Sequence, residues 1–244
     1  MSIEYSQRES EAPQVRLLCR DLTYRYPHAN HDLFKSLHVD IDGSGFHALF
    51  GPSGVGKTTL ARLMADKLTG GSGKITTIGM THILYTYNME RLPGWCSVGD
   101  HLHDITPSLR SADMAPLVGT FGIQDCLEAH FSQLSLGQRN RANLVRYLLQ
   151  EFDLLIMDES LANVDERTRQ LIILKLKQMF PTKAFLYISH NVVEVARFCR
   201  QILVLRGPRK DPRILDVQGL DCRDRQKPET DQLNRIVLEV MNVS

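Results

Sequence analysis

The sequence predicts an α/β architecture with a mostly parallel core sheet, and three observations carry that prediction. Short apolar runs alternate with helical patterns over the last third of the chain. A further apolar run, Phe46–Phe50, passes through a glycine-rich loop straight into a helix. The intervening stretch 89–150 reads as mostly helical. Strands that are apolar along their whole length and joined by helices indicate a sheet covered on both faces.

Taken in order, residues 1–14 are polar, with Pro13 near their end, and read as a flexible arm. Val15 to Tyr26 alternates as a strand does and runs into the turn segment PHANHD; a second strand, Leu37 to Ile41, leads to the turn DGSG. These form an N-terminal antiparallel β region. After the strand Phe46–Phe50 and its loop, a helix from Lys57 to Leu68 places Leu60, Leu63, Met64 and Leu68 on one face. The turn TGGSG stops it, and a strand follows from Lys74 to Ile78. The helical subdomain, about 89–150, is expected to be broken at Pro93-Gly94, Pro107 and Pro116. Strand–helix alternation then resumes: Leu154–Met157, helix Asp165–Met179, Ala184–Ser189, helix Val192–Cys199, Ile202–Leu205. Residues 207–244 form a tail rich in charge and proline up to Lys227. It closes in an amphipathic helix whose stripe of Leu233, Ile236, Val237, Val240 and Met241 is expected to pack on the domain, 15–206, with a partner-binding helix as the second reading.

Composition narrows the function. A chain of 244 residues with 43% hydrophobic content can bury a large core, which excludes disorder throughout. Lys and Arg number 29 against 28 Asp and Glu, so no basic excess points to nucleic acid as a partner. Five scattered cysteines, with no CxxC pair, read as reduced thiols. The opening residues lack the apolar stretch of a secretory signal, and no apolar run approaches the ~20 residues of a bilayer span. The expected setting is inside the cell.

Three segments carry chemistry. Gly51-Pro52-Ser53-Gly54-Val55-Gly56-Lys57-Thr58 fits GxxxxGK[ST] between a strand and a helix, the P-loop pattern. Its glycines let backbone N–H groups turn inward around phosphate oxygens, and the helix N-terminus adds a positive dipole. Lys57 can reach the β- and γ-phosphates and the Thr58 hydroxyl can ligate Mg²⁺, so a nucleoside triphosphate is expected here. Leu154–Met157 delivers Asp158 and Glu159 at its carboxyl end, placing a magnesium-holding and a water-polarising carboxylate beside that loop. Leu134-Ser135-Leu136-Gly137-Gln138-Arg139 leads into a helix with Ser135 as its N-cap, an anion site by hydroxyl and N–H groups. Taken alone, the last two segments are a solvated strand end and a capped helix.

Their order resembles the ATP-binding subunits of ABC transporters over roughly residues 15–206. LSLGQR is similar to that family's LSGGQ signature. Tyr26 stands where the family places an aromatic that stacks on adenine. Ser160 to Asp165 resembles the D-loop, and His190 follows an apolar strand as the family's switch histidine does. ERLPGW, ESLANVDERTR and the tail segment RDRQKPETDQLNRIVLEVM resemble the nitrate/sulfonate/taurine-type importers, and thiamine-precursor importers share those patterns. The resemblance implies a P-loop NTPase that binds ATP and Mg²⁺ and works as two subunits closing head to tail, most simply as a homodimer. One copy's Tyr26, Lys57, Thr58, Thr59, Asp158, Glu159 and His190 would meet the other copy's Ser135, Gly137, Gln138 and Asp165. It also implies membrane permease subunits, a solute-binding protein and a peripheral place on the cytoplasmic face of the membrane.

Two departures stand out. Asn88 occupies the position of the family's magnesium-sensing glutamine, so it is the third expected metal-site residue beside Thr58 and Asp158, with a side chain one methylene short. Leu136 stands where the signature has its first glycine. Both suggest slower hydrolysis. Trp95 reads either as lining the groove for the permease's coupling helix or as a half-buried structural residue. Two alternatives stay open at this level: a non-transport ABC ATPase, which would normally carry tandem ATP domains or long coiled-coil insertions, and a weakly catalytic nucleotide-binding regulator. Exporters of this family commonly fuse the domain to membrane helices.

Overall fold

A computed structural model describes residues 15–88, 90–225 and 228–244; the expected arm, 1–14, lies outside the described residues. Strands β1 (Arg16–Tyr24), β2 (Phe34–Asp42) and β4 (Ser72–Ile78) form an antiparallel sheet in the order β2-β1-β4. The larger sheet has the order β5-β6-β7-β3-β8-β9, with β3 (Gly45–Phe50), β5 (Ile83–Tyr87), β6 (Leu154–Asp158), β7 (Ala184–Ile188), β8 (Gln201–Leu205) and β9 (Ile214–Gln218). All its pairs are parallel except β8 with β9.

Alternate residues of the central strands feed two cores. Phe46, Ala48 and Phe50, Leu155 and Met157, and Phe185 and Tyr187 enter one core with α2 (Val98–Ile105), α3 (Ser111–Phe121), α4 (Leu136–Leu148), α5 (Glu166–Met179) and α6 (Val192–Phe198). Leu49, Leu154, Ile156, Leu186 and Ile188 enter the other, with α1 (Lys57–Met64) and the antiparallel sheet. A period of two along strands buried on both faces produces this division. Register brings Leu49 and Asp158 level with Ile188, so the loops after β3, β6 and β7 leave one edge of the sheet together.

Several expectations need correction. The first strand ends at Tyr24, and β2 begins at Phe34 rather than Leu37. The helix after the glycine loop stops at Met64, not Leu68, because Asp66 turns to φ 52° and the Lys67 N–H donates back to the Arg62 carbonyl. Pro116 does not break the helical region but sits inside α3. Its missing N–H would have paired with Ala112, in the helix's first turn, so one bond is forfeited near an end. The charged, proline-rich stretch after Gly207 contains β9, which adds an antiparallel edge to the sheet. In α7 (Thr230–Val243), Leu233, Ile236, Val237 and Val240 pack on the main core as expected, whereas Met241 is half exposed. No helix among the described residues is long and apolar enough to cross a membrane.

Candidate functional site

The loop between β3 and α1 is shaped by positions where a side chain has no room. A Cβ on Gly51 would lie 2.2 Å from the Leu205 carbonyl oxygen, and one on Gly56, at φ 112°, would lie 2.8 Å from the Phe34 ring. The loop can therefore lie flat between β8 and β2, with Val55 buried beneath it. Lys57, 7% exposed, folds back and donates to the carbonyls of Gly51 (2.8 Å) and Pro52 (2.9 Å). Burial pulls its pKa down, against the attraction of Glu159 and Asp158.

Asp158 ends β6 and is itself buried. Burial raises its pKa, while hydrogen bonds from the Thr58 hydroxyl and from Tyr85 (2.9 Å) act to lower it. Glu159 follows at φ 53°, a left-handed conformation that a side chain adopts only when its surroundings hold it there. His190 Nε2–H donates to its carboxylate at 2.7 Å. Tyr26 is fixed by a 2.6 Å hydrogen bond between its hydroxyl and Thr59, and by the edge of Tyr24 against its ring. Tyr26, Leu33, Ser53, Gly54, Gly56, Lys57, Thr58, Thr59, Glu159 and His190 line one open cleft of about 280 Å³.

Ser135, Gly137, Gln138 and Asp165 are not among the residues lining that cleft. Ser135 caps α4, and Gln138 completes the cap: its N–H donates to Ser135 Oγ while its side-chain oxygen accepts from the Ser135 N–H. Gln138 thus shapes the helix start. Asp165 caps α5, and the Thr168 N–H and hydroxyl hold its carboxyl below the usual range. A Cβ on Gly137 would meet the Asn163 carbonyl oxygen at 2.8 Å, so the backbone at Asn163 lies against the first turn of α4.

Asn88, the third expected metal-site residue, follows β5 and is held by neighbouring amides. Its backbone N–H donates to the Asp158 carbonyl, but its side-chain oxygen accepts from Asn140 (2.9 Å) and Asn163 (3.2 Å). Two amide donors occupy both lone pairs of that oxygen. Leu136 is 40% exposed on α4, and Trp95, at 83%, is not a half-buried structural residue. A groove of about 540 Å³ is lined by Thr58, Arg62, Lys67, Tyr85, Tyr87, Glu90 and Tyr147. Sequence reasoning did not single out Tyr85, Asn140, Asn163 or Glu194; Tyr85 and Tyr87 share a strand face toward the site, a signal that alternation could have given.

Comparison with known proteins places this geometry in a family. Residues 34–162 match the family model described as ABC transporter, just over half of the chain. The thiamine import ATP-binding protein ThiQ of Photorhabdus laumondii is 30% identical over 78% of this chain and 87% of its own length. The aliphatic sulfonates import ATP-binding protein SsuB 2 of Frankia alni is 29% identical over 88% and 87%. A bacterial Atm1-family ABC exporter with ATP bound shares the fold at a TM-score of 0.73 and 18% identity. The chain covers 42% of that exporter, which covers 95% of this chain. With the phosphate-type loop, the paired carboxylates and the signature helix in their expected order along these strands, this chain belongs to the ABC transporter family as one of its ATP-binding, ATP-hydrolysing subunits.

Proposed function

We propose that the chain powers import of a small solute, of the nitrate, sulfonate or taurine class or a thiamine precursor. Two copies would close head to tail over two ATP molecules and drive a membrane permease supplied by a solute-binding protein. The chain would sit at the cytoplasmic face of the membrane as a peripheral subunit. The observation that carries the reading is the cleft uniting Tyr26, Lys57, Thr58, Glu159 and His190, with Ser135 and Asp165 outside it. A second copy is the natural source of those two residues. The similarity to import proteins of two solute classes supports the direction of transport.

In this reading Tyr26 offers its ring to adenine, and Lys57 exchanges the Gly51 and Pro52 carbonyls for phosphate oxygens. The loop's N–H groups and the start of α1 hold the remaining phosphate charge. The Thr58 hydroxyl and Asp158 carboxylate are neighbouring hard oxygens, a donor set that fits Mg²⁺. Mg²⁺, when bound, neutralises phosphate charge. Glu159 takes the proton of the attacking water, and His190 fixes the carboxylate's direction through their 2.7 Å contact. Contacts across the dimer made only while the γ-phosphate is present would make closure follow ATP and opening follow hydrolysis.

The test is phosphate release by the purified protein with and without Mg²⁺, beside a Glu159→Gln variant. Turnover that needs Mg²⁺ and is lost in the variant supports the reading; equal turnover in both overturns the assigned roles. Affinity purification from gently solubilised native membranes addresses the partners. Recovery with a polytopic permease and a solute-binding protein supports import, and recovery on ribosomes or DNA overturns it.

A further inference from the structure

Asn88 sits at a junction of three elements. It follows β5, and its side-chain oxygen accepts from Asn140 on α4 and from Asn163 in the segment between β6 and α5. Asn140 is buried and begins a polar stripe along α4. Asn143 donates to Thr86 (3.2 Å) and Glu90 (3.1 Å), and Tyr147 donates to Glu90 (2.7 Å). Residues 140, 143 and 147 share one helix face, so α4 is stitched to the end of β5 over two turns. Independently, the close approach of Gly137 to the Asn163 carbonyl presses the same segment onto the start of α4.

We infer that Asn88 is a positioning residue: through Asn140 and Asn163 its side-chain oxygen locks the Ser135 end of α4 and the loop leading to Asp165 into one unit. The inference rests on the proposed function, in which those two residues are presented together to a second copy's nucleotide. It reassigns Asn88 away from magnesium, because ligation would require its oxygen to release both amides. A shorter side chain suits this role. It keeps the oxygen close to the end of β5, within reach of α4 and the Asn163 loop at once.

The test uses Asn88→Ala, Asn140→Ala, Asn163→Ala and the double variant Asn88→Ala/Asn140→Ala in the full chain. Asn163 is exposed, so its truncation keeps the test open if a buried variant fails to fold. Backbone hydrogen exchange over residues 159–165, in protein free of nucleotide and Mg²⁺, should quicken about tenfold in Asn140→Ala and in Asn163→Ala, the effect of one lost hydrogen bond, and further in Asn88→Ala, which loses both. The double variant should be no faster than Asn88→Ala. In turnover assays kcat should fall with the Mg²⁺ concentration for half-maximal rate unchanged, and with unchanged ATP affinity. A Mg²⁺ requirement raised tenfold or more by Asn88→Ala alone overturns the inference, as does unaltered exchange in Asn140→Ala and Asn163→Ala. Absence of Mg²⁺-dependent turnover in the unmodified protein would instead overturn the proposed function, and the exchange measurement would still decide the lock.

Discussion

Arg169→Ala is expected to destabilise the protein by about 3 kcal/mol and to slow turnover without weakening ATP binding. Glu194, on α6, is almost wholly buried and accepts three hydrogen bonds: from Arg169 Nε (2.5 Å), Tyr187 (2.7 Å) and Ser189 (3.3 Å). Arg169 supplies the only charge among these donors and also donates to the Val164 carbonyl at 3.1 Å. Burial works against its guanidinium, yet the bond to Glu194 holds its pKa above the ordinary value. Removing one partner of a buried pair costs about 3–5 kcal/mol. The guanidinium side is 15% exposed, so the lower end applies. For a chain of this size that corresponds to a fall in Tm of roughly 6–12 °C. Ser189 precedes His190 and Val164 precedes Asp165, so the pair braces both segments while leaving the Lys57 loop untouched. Glu194→Gln, which leaves Arg169 free to turn to water, should cost less, about 1–2 kcal/mol. The double variant should cost less than the two losses added together. Urea unfolding checks this through the midpoint at constant m-value. A loss below about 1 kcal/mol for Arg169→Ala, or strict additivity, would refute the argument from burial.

Three further outcomes are expected. Asp153 is desolvated, but the N–H groups of Thr81 and His82 and the Lys183 ammonium outweigh that and hold its pKa well below the usual carboxylate range. A depressed folded-state pKa stabilises above the unfolded value near 3.9 and ceases to do so as pH falls through the folded value. Asp153→Asn should therefore cost about 1–2 kcal/mol at neutral pH, discounted for solvent screening, and the gap should close below about pH 4 in acid unfolding curves. Gly56→Ala places a methyl group 2.8 Å from Phe34 at a left-handed backbone position. Its ATP affinity should fall by more than about tenfold, a cost of 1.4 kcal/mol or more, and a titration with a fluorescent ATP analogue reads this directly. Leu136→Gly should raise kcat by relieving the signature helix start, at a stability cost of about 0.5–1 kcal/mol; unchanged turnover would show that Leu136 does not hinder the site.

Residues whose neighbours in sequence dictate their geometry were legible. Gly56 must bend the chain into α1, Ser135 must cap α4, and Asp158 must end an apolar strand. β9 was not, because Ile214, Leu215 and Val217 lie amid charges and prolines and form a strand only through pairing with β8. Pro116 misled for a related reason: a helix tolerates proline where the forfeited bond lies near its first turn. Asn88 shows the same limit at the site itself. The partners of its side-chain oxygen, Asn140 and Asn163, lie 52 and 75 residues further on, beyond the reach of its local sequence. Residues that would meet the nucleotide are held to a pattern by the phosphates, so they recur in recognisable order. Residues that hold those groups in place answer only to one another: Asn88 to Asn140, Glu194 to Arg169, Asp153 to Lys183. The individual behaviour of this subunit, its rate and its coupling between the two faces, should therefore reside in these pairs more than in the motifs.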